Sequence, residues 1–407
     1  MRKPHLHIAI PAMDELAYLP ETLHSIANQT ITPVDYSVYV CVNQPEIWWE
    51  DAVKHSICEE NQQLLHLLRK ETRFPLYILD CSSRGLGWKG KKWGVGWARK
   101  YLFDYIFSVA SSEDLIVSLD ADTQISPHYF QTVIDAFQTN PKWIALSVPY
   151  YHPLTSNMDI DLAVLRYEIY MRNYAINLLR IGSPYGFTAL GSAIVAIVGA
   201  LKKIGGITPL KSGEDFYLLQ KLRKMGTIGL WIDALVYPAA RYSDRVGFGT
   251  GPAILKGVKG NWESYPIYHH SFFSPIADTY DIIGELYEKD FSTEFIQFLQ
   301  MQYKEERFWQ PLRRNAKEAM QFKRAFHEKA DGLKILQFLK YQQRKKNITD
   351  WQSLCENLTL FCHEINTNDV LFSLHPIDER TFTSLSELSY IRDLLFKIEQ
   401  YWRKKTD

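Results

Sequence analysis

Two carboxylates one residue apart, Asp120 and Asp122, close the apolar run 115–119. Hard cations of the magnesium or manganese type take carboxylate oxygens and accept phosphate oxygens as their remaining ligands. A strand ending in Asp-x-Asp can therefore hold such a cation against a diphosphate. The same two acids also read as a helix N-cap beside a solvated side chain. A second acidic pair, Glu214-Asp215, follows Ser212-Gly213 and opens a helical pattern. There it suits the positive end of the helix dipole as a plain cap. A third group lies in SSRGLGWKGKKWG, where Arg84, Lys89, Lys91 and Lys92 form a local cationic cluster fitted to a diphosphate or a base. That loop also matches G-x-G-x-x-G at Gly85, Gly87 and Gly90, but it follows the third strand instead of the first. No acidic strand end follows about twenty residues on, which argues against a dinucleotide fingerprint.

The elements that must position these groups alternate. Apolar periodicity predicts strands at 5–11, 35–43, 74–79 and 115–119, and helices at 15–29 (with Asp14 as its N-cap), 52–70 and 91–109. Four strands separated by helices predict an α/β fold, a mostly parallel sheet with helices on both faces. Ligands of such sheets sit at the C-terminal strand ends, where Asn43, Asp80, Asp120 and Asp122 fall. Further on, the pattern gives a helix at 126–138, extended chain at 143–151, a long amphipathic helix at 157–179 and a β-like run at 193–198. A short helix at 200–204, a helix at 214–225 and a last strand at 229–237 complete it. Ile160, Val164, Tyr167, Met171 and Tyr174 mark the long helix as core packing. Beyond about residue 250 the chain becomes rich in Lys, Glu, Gln, Leu and Phe at helical spacing, so two domains are expected, 1–250 and a helical 251–407.

Composition narrows the functional classes. Lys plus Arg and Asp plus Glu both number 46 in 407 residues, so no global charge points to nucleic acid. Five cysteines without a C-x-x-C pair read as reduced thiols, and the first residues lack a secretory apolar run, so a cytoplasmic protein is expected. The longest apolar segment, 190–201, is about half the length of a membrane span. The basic ends Arg344-Lys-Lys346 and Arg403-Lys-Lys405 read as solvated helix faces or as peripheral contacts with an anionic membrane. Three N-x-T sequons, at Asn28, Asn347 and Asn357, read as chance matches without a signal.

Four collinear pieces carry a resemblance. IAIPAMDELAYLPETLHSIANQT, DADT, GSAIVAIVGALKKIGGI and SGEDFYLLQKLRKMG, over about 230 residues, resemble an inverting glycosyltransferase of family 2, built on the GT-A nucleotide-sugar fold. The resemblance does not extend over the C-terminal ~150 residues. It implies a Mn²⁺- or Mg²⁺-dependent transfer of a sugar from a nucleoside-diphosphate donor, UDP- or GDP-linked, to the hydroxyl of a glycan, a lipid-linked or a small-molecule acceptor. By resemblance Asp122 coordinates the metal, Asp120 contacts the ribose or the metal through water, and Asp215 is the general base supported by Glu214. Nucleotide contacts are implied for Pro11, Met13 and Glu15, for Asn43, and for Asp80 with Arg84 and Lys89. Asn43 stands where the family commonly has an acid. The family's processive synthases carry Gln-x-x-Arg-Trp and spanning helices; neither is present, which implies a non-processive enzyme. Two other readings stand beside this one: a nucleotidyltransferase on a similar fold, and a degenerate sugar-binding or scaffold protein. Trp88 and Trp93 are candidates for sugar stacking, 247–251 for a lid or a linker, and His269 and His270 for a further metal ligand.

Overall fold

The computed structural model describes residues 3–30, 34–243, 249–365 and 379–406. The chain divides into two compact units, one formed by residues 1–160 and 187–255, the other by 161–186 and 256–406.

The first unit is built on a seven-stranded sheet. Its elements are β1 (Leu6–Ala12), α1 (Leu19–Ala27), β2 (Tyr36–Asn43), α2 (His55–Leu68), β3 (Leu76–Cys81), α3 (Val95–Val109), β4 (Leu115–Ser118), β5 (Thr123–Ile125), α4 (Tyr129–Thr139) and β6 (Trp143–Ser147). After α5 (Met158–Arg180) come β7 (Ile194–Ile197), α6 (Val198–Lys203), α7 (Glu214–Met225), β8 (Thr227–Gly229) and β9 (Val236–Pro238). The strand order is β3-β2-β1-β4-β7-β6-β8. Strand β1 is wholly buried and pairs in parallel with β2 and β4, its Ile8 lying opposite Val38 and Val117. A strand covered on both faces needs a near-continuous apolar run, which LHIAIPA supplies apart from His7, whose ring meets Tyr39 Oη at 3.1 Å. Strand β7 runs antiparallel to both β4 and β6, so the sheet is mostly but not wholly parallel. Helix α3 packs on β1 and β2, and α1 packs on β5.

Two local expectations differ from the structure. Helix α1 begins at Leu19 with Pro20 in its first turn, and Asp14 does not cap it. Asp14 instead sits at φ 60° and donates its N–H to Asn61 Oδ1 at 3.0 Å. The strand expected over 229–237 is two short strands, β8 in the large sheet and β9 paired with β5.

The second unit is helical: α5, then α8 (Thr250–Val258), which begins in the first unit, α9 (Ser274–Ile282), α10 (Glu294–Tyr303), α11 (Gln310–Asn315), α12 (Ala319–Lys329), α13 (Gly332–Lys345), α14 (Asp350–Glu364) and α15 (Leu385–Thr406). Leu165, Ile169 and Ile176 of α5 share a core with Leu358 and Phe361 of α14 and Ile391 and Leu395 of α15. Helix α5 is buried nearly all round, so its polar side chains must pair. Arg172 donates to Glu168 and to Glu399, Arg403 donates to Glu399, and Arg392 lies 3.7 Å from Glu168. No described helix is long and apolar enough to cross a membrane. The five cysteines are free thiols.

Candidate active site

The C-terminal ends of β1, β2 and β4 and the N-terminus of α7 open onto one cavity of about 300 Å³ in the first unit. Pro11, Met13, Glu15 and Asn43 line it from the first two strands. Asp120 and Asp122 line it from beyond β4, and Glu214 and Asp215 from α7. Asp80, Arg84 and Lys89 are not among the lining residues.

Backbone ties fix the Asp120–Asp122 turn. Leu119 N–H donates to Ala9 O at 3.1 Å, Thr22 Oγ1 donates to Ala121 O at 2.8 Å, and Ala239 N–H donates to Asp122 O at 3.1 Å. The β5–β9 pair then brings Arg241, three residues past Pro238, alongside. Arg241 donates from Nε to Asp122 Oδ2 at 2.7 Å and from Nη2 to both Glu15 oxygens at 2.6 and 2.8 Å, with its guanidinium 4.1 Å from the Tyr18 ring centre. Burial works against its charge, but Asp122 and Glu15 outweigh it and hold the proton on Arg241.

Arg99 of α3 ties the two acidic pairs together. It is 3% exposed and donates to Asp120 Oδ1 through one amino group and to Glu214 Oε1 through the other. Gly191 makes room for it, since a Cβ there would lie 2.2 Å from the Arg99 guanidinium. Burial raises the Asp120 carboxyl above the ordinary range; Arg99 opposes this and Asp122 adds to it. Asp215, in the first turn of α7, has its carboxyl pushed up to about 7 by burial and by Glu214, against the pull of Arg99. A carboxylate that titrates near neutrality is matched to proton abstraction at physiological pH.

Sequence reasoning missed Arg99, Gly191 and Lys211, all of which line the cavity. An arginine inside an amphipathic helix reads as solvent-facing, and its acids lie 21 and 115 positions away. Of the two tryptophans marked for sugar stacking, Trp93 lines the cavity and Trp88 does not. Gly249 and Gly251 line it too, while Arg245 and Gly247 of the expected lid lie outside the described residues. Asp80 organises its own loop: its Oδ1 accepts from Ser82 N–H at 3.0 Å and Ser83 N–H at 2.9 Å. Arg84 covers Trp49 at 4.9 Å, and Lys89 is exposed. His269 and His270 belong to the second unit, bonded to Glu356 at 2.8 Å and Asn357 at 3.1 Å.

The donor set fits a divalent cation that takes most of its ligands from a bound anion. Among the described residues no three His, Cys, Asp or Glu side chains are grouped to hold an ion by themselves. Magnesium-type ions do not require such a cage; one or two carboxylates plus phosphate oxygens suffice. The lining carries five carboxylates, Glu15, Asp120, Asp122, Glu214 and Asp215, against Arg99, Lys211 and Arg241. A diphosphate entering this acid-rich cavity calls for added positive charge.

No family model matches the chain, and no curated protein matches it. Among solved structures, Staphylococcus aureus TarS residues 1–349 in complex with UDP-GlcNAc is similar at 12% identity and a TM-score of 0.41, covering 99% of this chain and 92% of that one. The same fragment in complex with UDP gives 12% identity, a TM-score of 0.42 and coverage of 84% and 91%. The mannosyltransferase PcManGT from Pyrobaculum calidifontis, in complex with GDP-Man and Mn²⁺, gives 14% identity, a TM-score of 0.38 and coverage of 99% and 89%.

Proposed function

We propose that the chain is a glycosyltransferase of the family 2 type that moves a sugar from a nucleoside-diphosphate donor to an acceptor hydroxyl, with inversion and without processivity. The observation that carries the reading is the meeting of Asp120-x-Asp122 and a near-neutral Asp215 in one cavity. The ionised Asp215 accepts the acceptor's hydroxyl proton as that oxygen bonds to the anomeric carbon from the face opposite the leaving group. The bond from that carbon to the diphosphate breaks, and its electron pair leaves with the diphosphate. Single displacement of this kind inverts the anomeric centre.

Asp122 would hold the divalent cation, Mn²⁺ or Mg²⁺, which supplies charge neutralisation of the leaving diphosphate. Arg241, bidentate by nature and already at Asp122, is placed to share that charge. Arg99 holds Asp120 and Glu214 at fixed positions around the cavity. Asn43 lines the cavity at the end of β2, its Nδ2 donating to Ala12 O at 2.9 Å, and supports a nucleobase site there. Reduced cysteines accord with a cytoplasmic setting.

Thermal shift with UDP and with GDP, each with and without Mn²⁺, tests the reading. Binding to the folded state raises the melting temperature by mass action. One nucleotide should raise it only with the metal present, and Asp122→Ala should remove the effect. No shift with any nucleotide, or a shift that survives Asp122→Ala, overturns the assignment.

A further inference from the structure

Outside the cavity, two loops of the first unit hold large apolar side chains in water. Ile47 is 65% exposed, Val53 79% and Leu86 55%. Single exposed hydrophobes are ordinary, but three on adjoining loops are not scattered. The loops are braced as one body: Glu46 accepts the N–H groups of Gly85 and Gly87, both at 2.8 Å, on either side of Leu86. Glu46 N–H donates to Trp88 O at 2.9 Å, and Trp88 N–H donates to Gln44 O at 2.9 Å. Trp49 Nε1 donates to Ser82 O at 3.0 Å, and Trp48 meets Trp93 edge-on at 5.8 Å.

The charge around them is net positive, with five cations against three acids. Arg84, Lys89, Lys91 and Lys92 are exposed, and Lys54 lies 5.5 Å from the Trp48 ring centre. Of the three acids in these loops, Glu46 is engaged by the glycine N–H groups, and Asp51 accepts from Val53 and Lys54 N–H at 2.9 and 3.3 Å. Glu50 is the third. Apolar tips, tryptophans and a cationic surround are the composition that enters a lipid headgroup region: the apolar groups bury, indole suits the interface, and the cations meet phosphate.

We propose that this apex, 45–54 with 82–93, docks on the surface of an anionic lipid bilayer, Ile47, Val53 and Leu86 entering the interface while Arg84 and the three lysines meet headgroup phosphates. The proposal goes beyond the transfer reaction, and none of the residues that would meet the bilayer lines the cavity, although Trp93, which braces the apex, does. It also places membrane contact here, and not at the basic ends of the helical unit.

Co-sedimentation of the full chain with vesicles tests it, using equal parts phosphatidylglycerol and phosphatidylcholine against phosphatidylcholine alone. The chain should bind the mixed vesicles and not the neutral ones, and added salt should weaken binding. Ile47→Ser, Val53→Ser and Leu86→Ser together should lower partitioning about tenfold or more. Lys89→Ser, Lys91→Ser and Lys92→Ser should lower it about fivefold per cation. All six positions are exposed, and unchanged melting temperatures will show that the variants fold. Lys345→Ser, Lys346→Ser, Lys404→Ser and Lys405→Ser together should leave binding intact. Absence of binding by the parent chain, equal binding to neutral vesicles, or loss in the last variant but not in the apex variants overturns the proposal.

Discussion

Asp215→Asn gives the sharpest test of the site that needs no substrate. The folded chain raises this carboxyl from the usual 3.8 to about 7, with burial the first cause and Glu214 the second. Between those pH values the folded state binds more protons than the unfolded one. Stability from this group is therefore complete in acid and is lost as pH rises through about 7. With each tenfold in proton concentration worth about 1.4 kcal/mol, the full effect would be about 4 kcal/mol. Water reaches the half-buried side chain, so about 2 kcal/mol is the working figure. Asn keeps the shape and cannot ionise. Urea denaturation of both proteins at about pH 5 and about pH 8 should show the variant gaining about 2 kcal/mol on the parent over that interval, then no more above it. A constant difference between the two proteins would refute the claim that the site holds Asp215 against its ionisation.

Three further outcomes are expected. Transfer activity, measured as nucleoside diphosphate released, should rise with pH through about 7 as Asp215 ionises, and Asp215→Asn should bind donor without transferring it. Gly191→Ala, whose Cβ would meet the pinned guanidinium of Arg99 at 2.2 Å, should cost about 1–3 kcal/mol in urea denaturation and weaken nucleotide binding. Arg172→Met should cost about 3–5 kcal/mol, because Glu168 and Glu399 would keep buried charge with a partner removed; a neutral result in the same denaturation assay would show that the cluster is dispensable.

Local pattern made much of the first unit legible. The run LHIAIPA had to be a strand covered on both faces, and the helix over 214–225 was bounded by a glycine at each end, Gly213 and Gly226, with no side-chain cap of the kind the acidic pair suggested. Where the sequence reading departed from the structure, the deciding partner lay far along the chain. Residues 229–237 do alternate, with Leu230, Ile232, Ala234 and Val236 buried, yet most of that extended chain has no neighbouring strand to pair with. Periodicity reports which side faces inward, not whether a ladder forms. Arginine burial was equally hidden, because Arg99, Arg172, Arg392 and Arg403 are identified as interior only by acids brought to them by the fold. In the site, eight of the eleven residues marked from sequence line one cavity. Asp80, Arg84 and Lys89 instead lie with the braced loops outside it.

Helix α5 lies between two segments of the first unit in the sequence, yet it forms part of the core of the second. A fragment ending near residue 250 would contain α5 without α14 and α15. It would present Leu165, Ile169 and Ile176 to water together with the charges of Glu168 and Arg172 stripped of Glu399. Proteolytic trimming or recombinant dissection at the compositional boundary should thus yield an aggregating product, and the helical unit left behind would lack its central helix. The two units are interleaved in the gene, so neither can be inherited, swapped or expressed as a simple terminal block.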